Sequence, residues 1–411
     1  MESHKNPKNI ENVKRRNLWG MNALLLIDGF GGGMSIATFQ PYILAFTGSM
    51  FLTGVLTTLG VILLTFPKPF IGKLSDRYGR KKIFLLGTPN LILGFFLIII
   101  ANNLFLLVMG VMILNLGSSF GSLGVYMFVS ESSKESRRGF NFGLIAFAFF
   151  GGGVFGKYFV TFGLFSDIRI YFVIFIILFF FEFLIQIFIL FDPNPVIPVR
   201  MSNSSNNNKV PENIWKKLLS NPKTKTIIIF FTLDGLIYGT SGALYIAGLS
   251  SFYDLSTENI AFISLWFSVS STIFQIPAGH FADRIGKRKS LVISQIFGIG
   301  YFSFIILGFI AWNLGFSLML FLFLIIGEFL QGICVSTFIP SEGMTVTDLD
   351  ETGKRKAEAY GIVSFIRGVG FIPTGIFAGF LIEYVHYIAP FIITIVGILI
   401  LILILHKYFH D

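Results

Sequence analysis

The strongest constraint on this chain is a series of apolar segments too long for a water-soluble fold to hide. Twelve are read near residues 18–46, 50–72, 82–101, 104–129, 140–164, 169–191, 226–250, 258–280, 289–310, 315–341, 358–382 and 387–406. A helix needs about 20 residues to cross the hydrocarbon of a bilayer. Only helices or closed barrels satisfy their own backbone hydrogen bonds there. The expected fold class is therefore an all-α membrane protein with twelve transmembrane helices. Charged residues make up only 13% of the chain and Phe alone contributes 51, whereas a soluble domain is roughly 25% charged.

The chain also states itself twice. Gly72-Lys73-Leu74-Ser75-Asp76-Arg77-Tyr78-Gly79-Arg80-Lys81-Lys82 recurs as Gly279-His280-Phe281-Ala282-Asp283-Arg284-Ile285-Gly286-Lys287-Arg288-Lys289, and Asp76 and Asp283 lie 207 residues apart. Each copy fills a tight loop between two apolar segments. This predicts two pseudo-symmetric six-helix bundles, the duplication by which secondary transporters build two halves around a central site. The division expected is an amino-terminal arm over 1–17, a first half over 18–191, a linker over 192–225, a second half over 226–406 and a tail over 407–411. Within the linker, Ser202 to Asn208 is polar and of low complexity. Pro211 to Leu219 reads either as an amphipathic helix on the membrane surface or as an ordered linker turn.

Lysine and arginine set the orientation. They cluster at Lys5, Lys8, Lys14, Arg15 and Arg16 and in the even-numbered loops, at Arg77 to Lys82, Lys134 to Arg138, Arg284 to Lys289 and Lys354 to Lys356. The other side shows only Lys157 and Arg169, read as residues near helix ends. The positive-inside rule then puts both termini and the linker in the cytoplasm, in a multi-pass protein expected in the cell membrane. The net charge of +9 is a topology signal with a share of lipid-headgroup attraction. Its dispersal among short loops argues against a nucleic-acid partner. No cleavable signal peptide is expected, because the first apolar stretch is too long. The single Cys334 rules out an intrachain disulfide and a cysteine metal cluster, and the five histidines form no metal set. No phosphate-binding glycine loop is present, and neither an enzyme nor a bound cofactor is expected.

Five ionisable residues lie deep in the spans: Asp28, Glu182, Asp234, Glu328 and Arg367. Each costs roughly 2.5–3.5 kcal/mol at mid-bilayer on insertion scales, so a functional role is the default reading. Asp28-Gly29 followed by Ser35 is echoed by Asp234-Gly235 followed by Ser241. Positions i, i+4, i+7 and i+11 share a helix face, so Asp28, Gly32, Ser35 and Phe39 form one stripe and Asp234, Tyr238, Ser241 and Tyr245 another. The two carboxylates at equal depth predict a pair facing one cavity. Asn115 heads a further stripe with Ser118, Ser122 and Tyr126, and Ser264, Ser268, Ser271 and Gln275 form another. Desolvation disfavours a charged carboxyl, so some of these groups are expected to hold protons.

These features resemble the major facilitator superfamily over essentially the whole chain. The pattern G-x-L-x-D-R-x-G-R-K-K is that family's most specific marker. The resemblance implies a cytoplasmic latch made of Gly72, Asp76, Arg77, Gly79, Arg80, Glu131 and Arg138 in the first half, with Gly279, Asp283, Arg284, Gly286 and Glu342 in the second. Asp76 would face helix 11 and Asp283 helix 5, where a carboxylate suits a helix amino terminus. Gly72 and Gly279 would let helices approach closely. The exporter-associated glycine pattern of helix 5 is half present: Gly143, Gly152 and Gly156 fit, but Lys157 replaces proline. The implied function is a proton-coupled carrier of a small organic solute, working as a monomer in the bilayer, with efflux of a lipophilic or cationic compound favoured. Its expected cavity residues are Asp28, Ser35, Asn115, Asp234, Tyr238, Ser241, Glu328 and Arg367. An uptake carrier for an organic anion held by Arg367 is the alternative, and a non-transporting receptor or assembly factor is a third reading.

Overall fold

A computed structural model describes residues 7–134, 137–192, 222–347 and 356–408. The proposed amphipathic segment at Pro211 to Leu219 and the basic residues Lys354 and Arg355 lie outside these.

The helices are α1 (Pro7–Thr47), α2 (Met50–Tyr78), α3 (Arg80–Ile100), α4 (Leu104–Ser132), α5 (Arg138–Thr161) and α6 (Ile168–Phe188), then α7 (Lys225–Phe252), α8 (Thr257–Ile285), α9 (Lys287–Asn313), α10 (Ser317–Thr347), α11 (Gly361–Val385) and α12 (Ala389–Tyr408). Eleven are long and apolar enough to cross a membrane; α1, diluted by Gly29, Gly31, Gly32, Gly33, Asp28 and Gln40, is the other. Side chains of Ser49, Asn103, Asp167 and Ser256 cap the starts of α2, α4, α6 and α8, each satisfying an amide that the first turn leaves unpaired. The repeated glycine of the loop motif has a backbone cause. Gly79 has φ 103° and Gly286 φ 87°, a region that L side chains rarely adopt, and each makes the sharp corner into the next helix. Large apolar side chains cover the perimeter, with Phe70 and Phe105 among the most exposed, as a lipid-facing surface requires.

The halves α1–α6 and α7–α12 repeat one packing plan. In each, the first helix crosses the fifth at backbone contact: a side chain at Gly29 would collide with the Phe149 carbonyl, and one at Gly370 with the Thr232 carbonyl. Two seams join the halves. Along α2 and α11, Gly54 lies on Gly375, Ile376 N donates to Thr58 Oγ1 at 3.1 Å, and Gly361 meets the Lys68 backbone. Along α5 and α8 the contacts run from Gly163 against Glu258 to Gly151 against Thr272. Beyond these, no described residue lies within contact of Gly143 or Gly279, so no close helix approach is seen at Gly279 among the described residues.

Much of the amino-terminal arm is helical. Residues 7–17 continue α1 as helix, because their polar groups find partners on the ends of α4 and α6. The buried Asn17 donates to Phe191 O at 2.7 Å and accepts from Phe191 N at 2.9 Å. Arg16 donates to Phe188 O at 2.6 Å. Glu11 pairs with Lys134 at 2.7 Å, and that ammonium holds its carboxyl below the usual range.

Candidate functional site

A cavity of about 500 Å³ lies between the halves. α1 contributes Gly29, Gly32, Ser35, Phe39 and Gln40, α5 contributes Phe149 and Phe150, and α7 and α8 contribute Ile246, Phe267 and Ser268. Glycine on α1 makes the room and phenylalanine lines it. Among the described residues, no charged side chain lines this cavity. It suits a solute with substantial apolar and aromatic surface, oriented by a few polar groups.

Toward the end opposite the basic loops, Gln40 closes the cavity by bridging the halves. α7 is interrupted after Gly242 and resumes at Tyr245, which leaves backbone groups free. Gln40 Nε2 donates to Ala243 O at 2.9 Å and Oε1 accepts from Ala247 N at 3.0 Å. Farther out, Glu383 of α11 accepts from Ser49 Oγ and Phe51 N, both at 2.8 Å. Sequence reasoning passed over Gln40 and Glu383, since each gains meaning only from the opposite half.

The structure sets Asp28 and Asp234 in separate surroundings. Asp28 lies within electrostatic reach of Glu182 on α6, whose Oε1 is buried without a partner. Two carboxyls thus share the interior of the first half. Asp234 is 3% exposed and belongs to a network inside the second half. Gln295 Nε2 donates to its Oδ1 at 3.1 Å, and Arg367 approaches its Oδ2 at 3.7 Å. Arg367 also binds Glu342 at 2.5 Å and stacks on Phe338 and Phe371. Tyr238 OH donates to Gln295 Oε1 at 3.0 Å. Glu342, expected in the latch, and Arg367, expected in the cavity, therefore form one cluster, and Lys68 of α2 lies within charge range of both.

Of the remaining expected cavity residues, Ser35 lines the cavity. Ser241 and Asn115 donate to their own helix backbones at Tyr238 O and Val111 O. Glu328 is buried on α10 beside Tyr245 of α7. It faces Lys157, which lies one turn before the end of α5, near the helix end as read, but turned inward and not toward the surface. Lys157 is 1% exposed. Its Nζ donates to Ser264 O at 2.7 Å and sits 4.9 Å from the centre of the Phe267 ring. A lysine within an apolar span, even one turn from its end, was the signal that could have found it.

At the basic end, Arg80 joins Asp76 at 2.5 Å to Glu131 at 2.7 Å, so three expected latch residues form one ion cluster. Arg77 lies over the Tyr78 ring, Arg284 is exposed, and Gly72 is buried. The side chains of Arg138 and Asp283 lie outside the described residues. The end of α2 does pack against α11, at Gly361 and through the ring contact of Phe66 with Phe365.

The family model of the Major Facilitator Superfamily matches residues 21–257 and again 235–411. The chain is similar to the class E tetracycline resistance protein of Escherichia coli, 22% identical over 275 residues, 66% of this chain and 67% of that protein. In shape it is similar to the human organic anion transporter MFSD10, with a TM-score of 0.72 and 13% identity over 95% of this chain and 99% of that one. It is also similar to the nucleoside transporter NupG, with a TM-score of 0.70 and 16% identity over 96% and 100% of the two chains. At such identities the likeness establishes the fold and leaves the solute open.

Proposed function

The chain belongs to the major facilitator superfamily of secondary transporters, and from that premise we propose that it exports a lipophilic or cationic organic compound in exchange for protons. The observation that carries the reading is the phenylalanine-lined cavity between the halves, with the acidic pair Asp28 and Glu182 in the same half as its α1 and α5 walls. An apolar wall takes up the body of such a solute, and unneutralised carboxyls favour a positive one. The same carboxyls, which stand behind the cavity lining, can hold a proton while the cavity is empty and release it when a positive solute enters nearby. The distant likeness to a protein named for tetracycline resistance suits a small organic compound as the solute.

Uptake of an organic anion on Arg367 is less well supported, because Asp234 and Glu342 already engage that guanidinium. The positive-inside rule supports cytoplasmic termini, and cell-membrane placement accords with export.

Reconstituted protein in sealed vesicles tests the reading. An imposed proton gradient should drive lipophilic cations against their concentration gradient, and organic anions should not move. Anion flux alone would transfer the assignment to the uptake carrier. Vesicles no more permeable than protein-free ones to a panel of cations, anions and neutral solutes would leave the receptor or assembly factor as the better reading.

A further inference from the structure

Lys157 of α5 reaches out of its own half. Its Nζ is bonded to Ser264 O on α8 and lies over Phe267. α10 packs along α8 with Gly332 against Phe267 and Ser270, and Ser336 Oγ donates to Ser271 O at 3.2 Å. One turn back along α10, Glu328 comes level with Ser264. It is 5% exposed. Lys157 faces it from α5, Tyr245 from α7 and Tyr301 from α9; Gly327 packs on the Tyr301 backbone. α8 presents Ser264 and Phe267, neither of them titratable.

Beyond Glu328 lies a file of buried phenols. Tyr245 and Tyr301 have ring centres 6.1 Å apart. Tyr387 rests on Gly248, three residues from Tyr245, and both tyrosines contact Phe391. Tyr253 meets Tyr387 edge-on at 5.4 Å. The hydroxyls of Tyr245, Tyr253 and Tyr387 are buried and make no well-formed hydrogen bond in this conformation, but each is near enough to its neighbour to form one, Tyr253 with Tyr387 and Tyr245 with Glu328. The file ends where Tyr253 adjoins the exposed Asp254 and Tyr387 adjoins the exposed His386, at the end remote from the basic loops.

We propose that Glu328 is a proton-binding site loaded from that remote end through the hydroxyls of Tyr253, Tyr387 and Tyr245, with Lys157 as a counter-charge lent by the other half. Each hydroxyl accepts a proton on its oxygen and passes its own hydrogen onward. The net step moves one proton from water to the carboxylate, and nothing is oxidised or reduced. A lone pair and a rotatable hydrogen are what such a relay needs, and buried hydroxyls that face one another without a fixed bond supply both. Parting of α5 from α8 withdraws Lys157, so the charge on Glu328 is tied to the seam between the halves. Only the identification of that parting with a transport motion rests on the carrier reading.

The test uses the full chain in detergent micelles without solute. The infrared difference between wild type and Glu328→Gln should contain a carboxyl C=O band that titrates with pH, over and above any from Asp28, Glu182 and Asp234. After dilution into D2O, Tyr387→Phe and Tyr245→Phe should keep that band but slow its deuteration about tenfold, equivalent to about 1.4 kcal/mol on the barrier. These variants remove one oxygen each and carry the test if Glu328→Gln does not fold. No titrating carboxyl band in the wild-type minus Glu328→Gln difference, or wild-type deuteration in both tyrosine variants, overturns the proposal. Because no solute is present, failure of the carrier reading in vesicles leaves this result standing, and active transport with no Glu328 band does the reverse.

Discussion

Replacing Gln40 with alanine should unfasten the end of the protein remote from its basic loops. The side chain makes two hydrogen bonds, at 2.9 and 3.0 Å, to backbone groups at the break in α7. Each contributes about 0.5–1.5 kcal/mol net. Their loss therefore favours opening by about 1–3 kcal/mol, a shift of roughly 5- to 150-fold in the equilibrium. Glu383 spans the halves on the same side but is exposed, and an exposed charge at a helix amino terminus contributes about 0.3–1 kcal/mol. Glu383→Gln should thus move the equilibrium less than Gln40→Ala. Ser35→Cys, in the cavity, provides the assay: an impermeant maleimide added from the remote side reports opening as a labelling rate. Cys334 is buried and supplies little background. Equal labelling rates with and without the Gln40→Ala substitution would refute the clamp, and a larger effect from Glu383→Gln would show that the ranking by burial is mistaken.

Four further outcomes are expected. Asp28→Asn or Asp234→Asn should abolish proton-driven accumulation and spare downhill exchange, as a permanently protonated mimic would; unchanged proton coupling in both single variants and the double would dismiss the role. Asp76→Ala or Asp283→Ala should impair alternation while solute affinity changes less than about tenfold, or roughly 1.4 kcal/mol, with flux and binding measured on the same preparation. Gly79→Ala and Gly286→Ala force a side chain into a backbone region that costs about 1–3 kcal/mol, so each should lower the melting temperature, and unaltered melting would contradict the turn geometry. A reporter fused after Asp411 should be active only in its cytoplasmic form.

The helices were legible in the sequence because their cause is local: about twenty apolar residues need no partner to declare a membrane span. Every span is present within a few residues, apart from the helical arm, whose order comes from Asn17 and Arg16 meeting the distant end of α6. The repeated glycine was visible as a repeat, and its φ supplies the reason. The site was less legible. Equal depth of Asp28 and Asp234 follows from the duplication, but side-chain direction depends on neighbours 61 to 154 residues away, such as Gln295 and Glu182. The burial of Lys157 was hidden for the same reason, since only its Ser264 acceptor on the other half explains a buried ammonium.

The two seams between the halves differ in what it takes to disturb them. Along α2 and α11, backbone rests on backbone at Gly54, Gly361 and Gly375. Among the described residues, the hydrogen bonds across this seam involve the neutral Thr58 and the exposed Glu383, with no buried charge among them to displace. Small displacements there exchange one close contact for another, which is how packed helices shear. Along α5 and α8, an ammonium must leave a carbonyl and an aromatic face, and no intermediate separation satisfies it. The first seam is thus built as a hinge and the second as a gate. Distances measured between spin labels across α5 and α8 should fall into two discrete populations, whereas those across α2 and α11 should form one broad distribution; the reverse pattern would exchange the two roles.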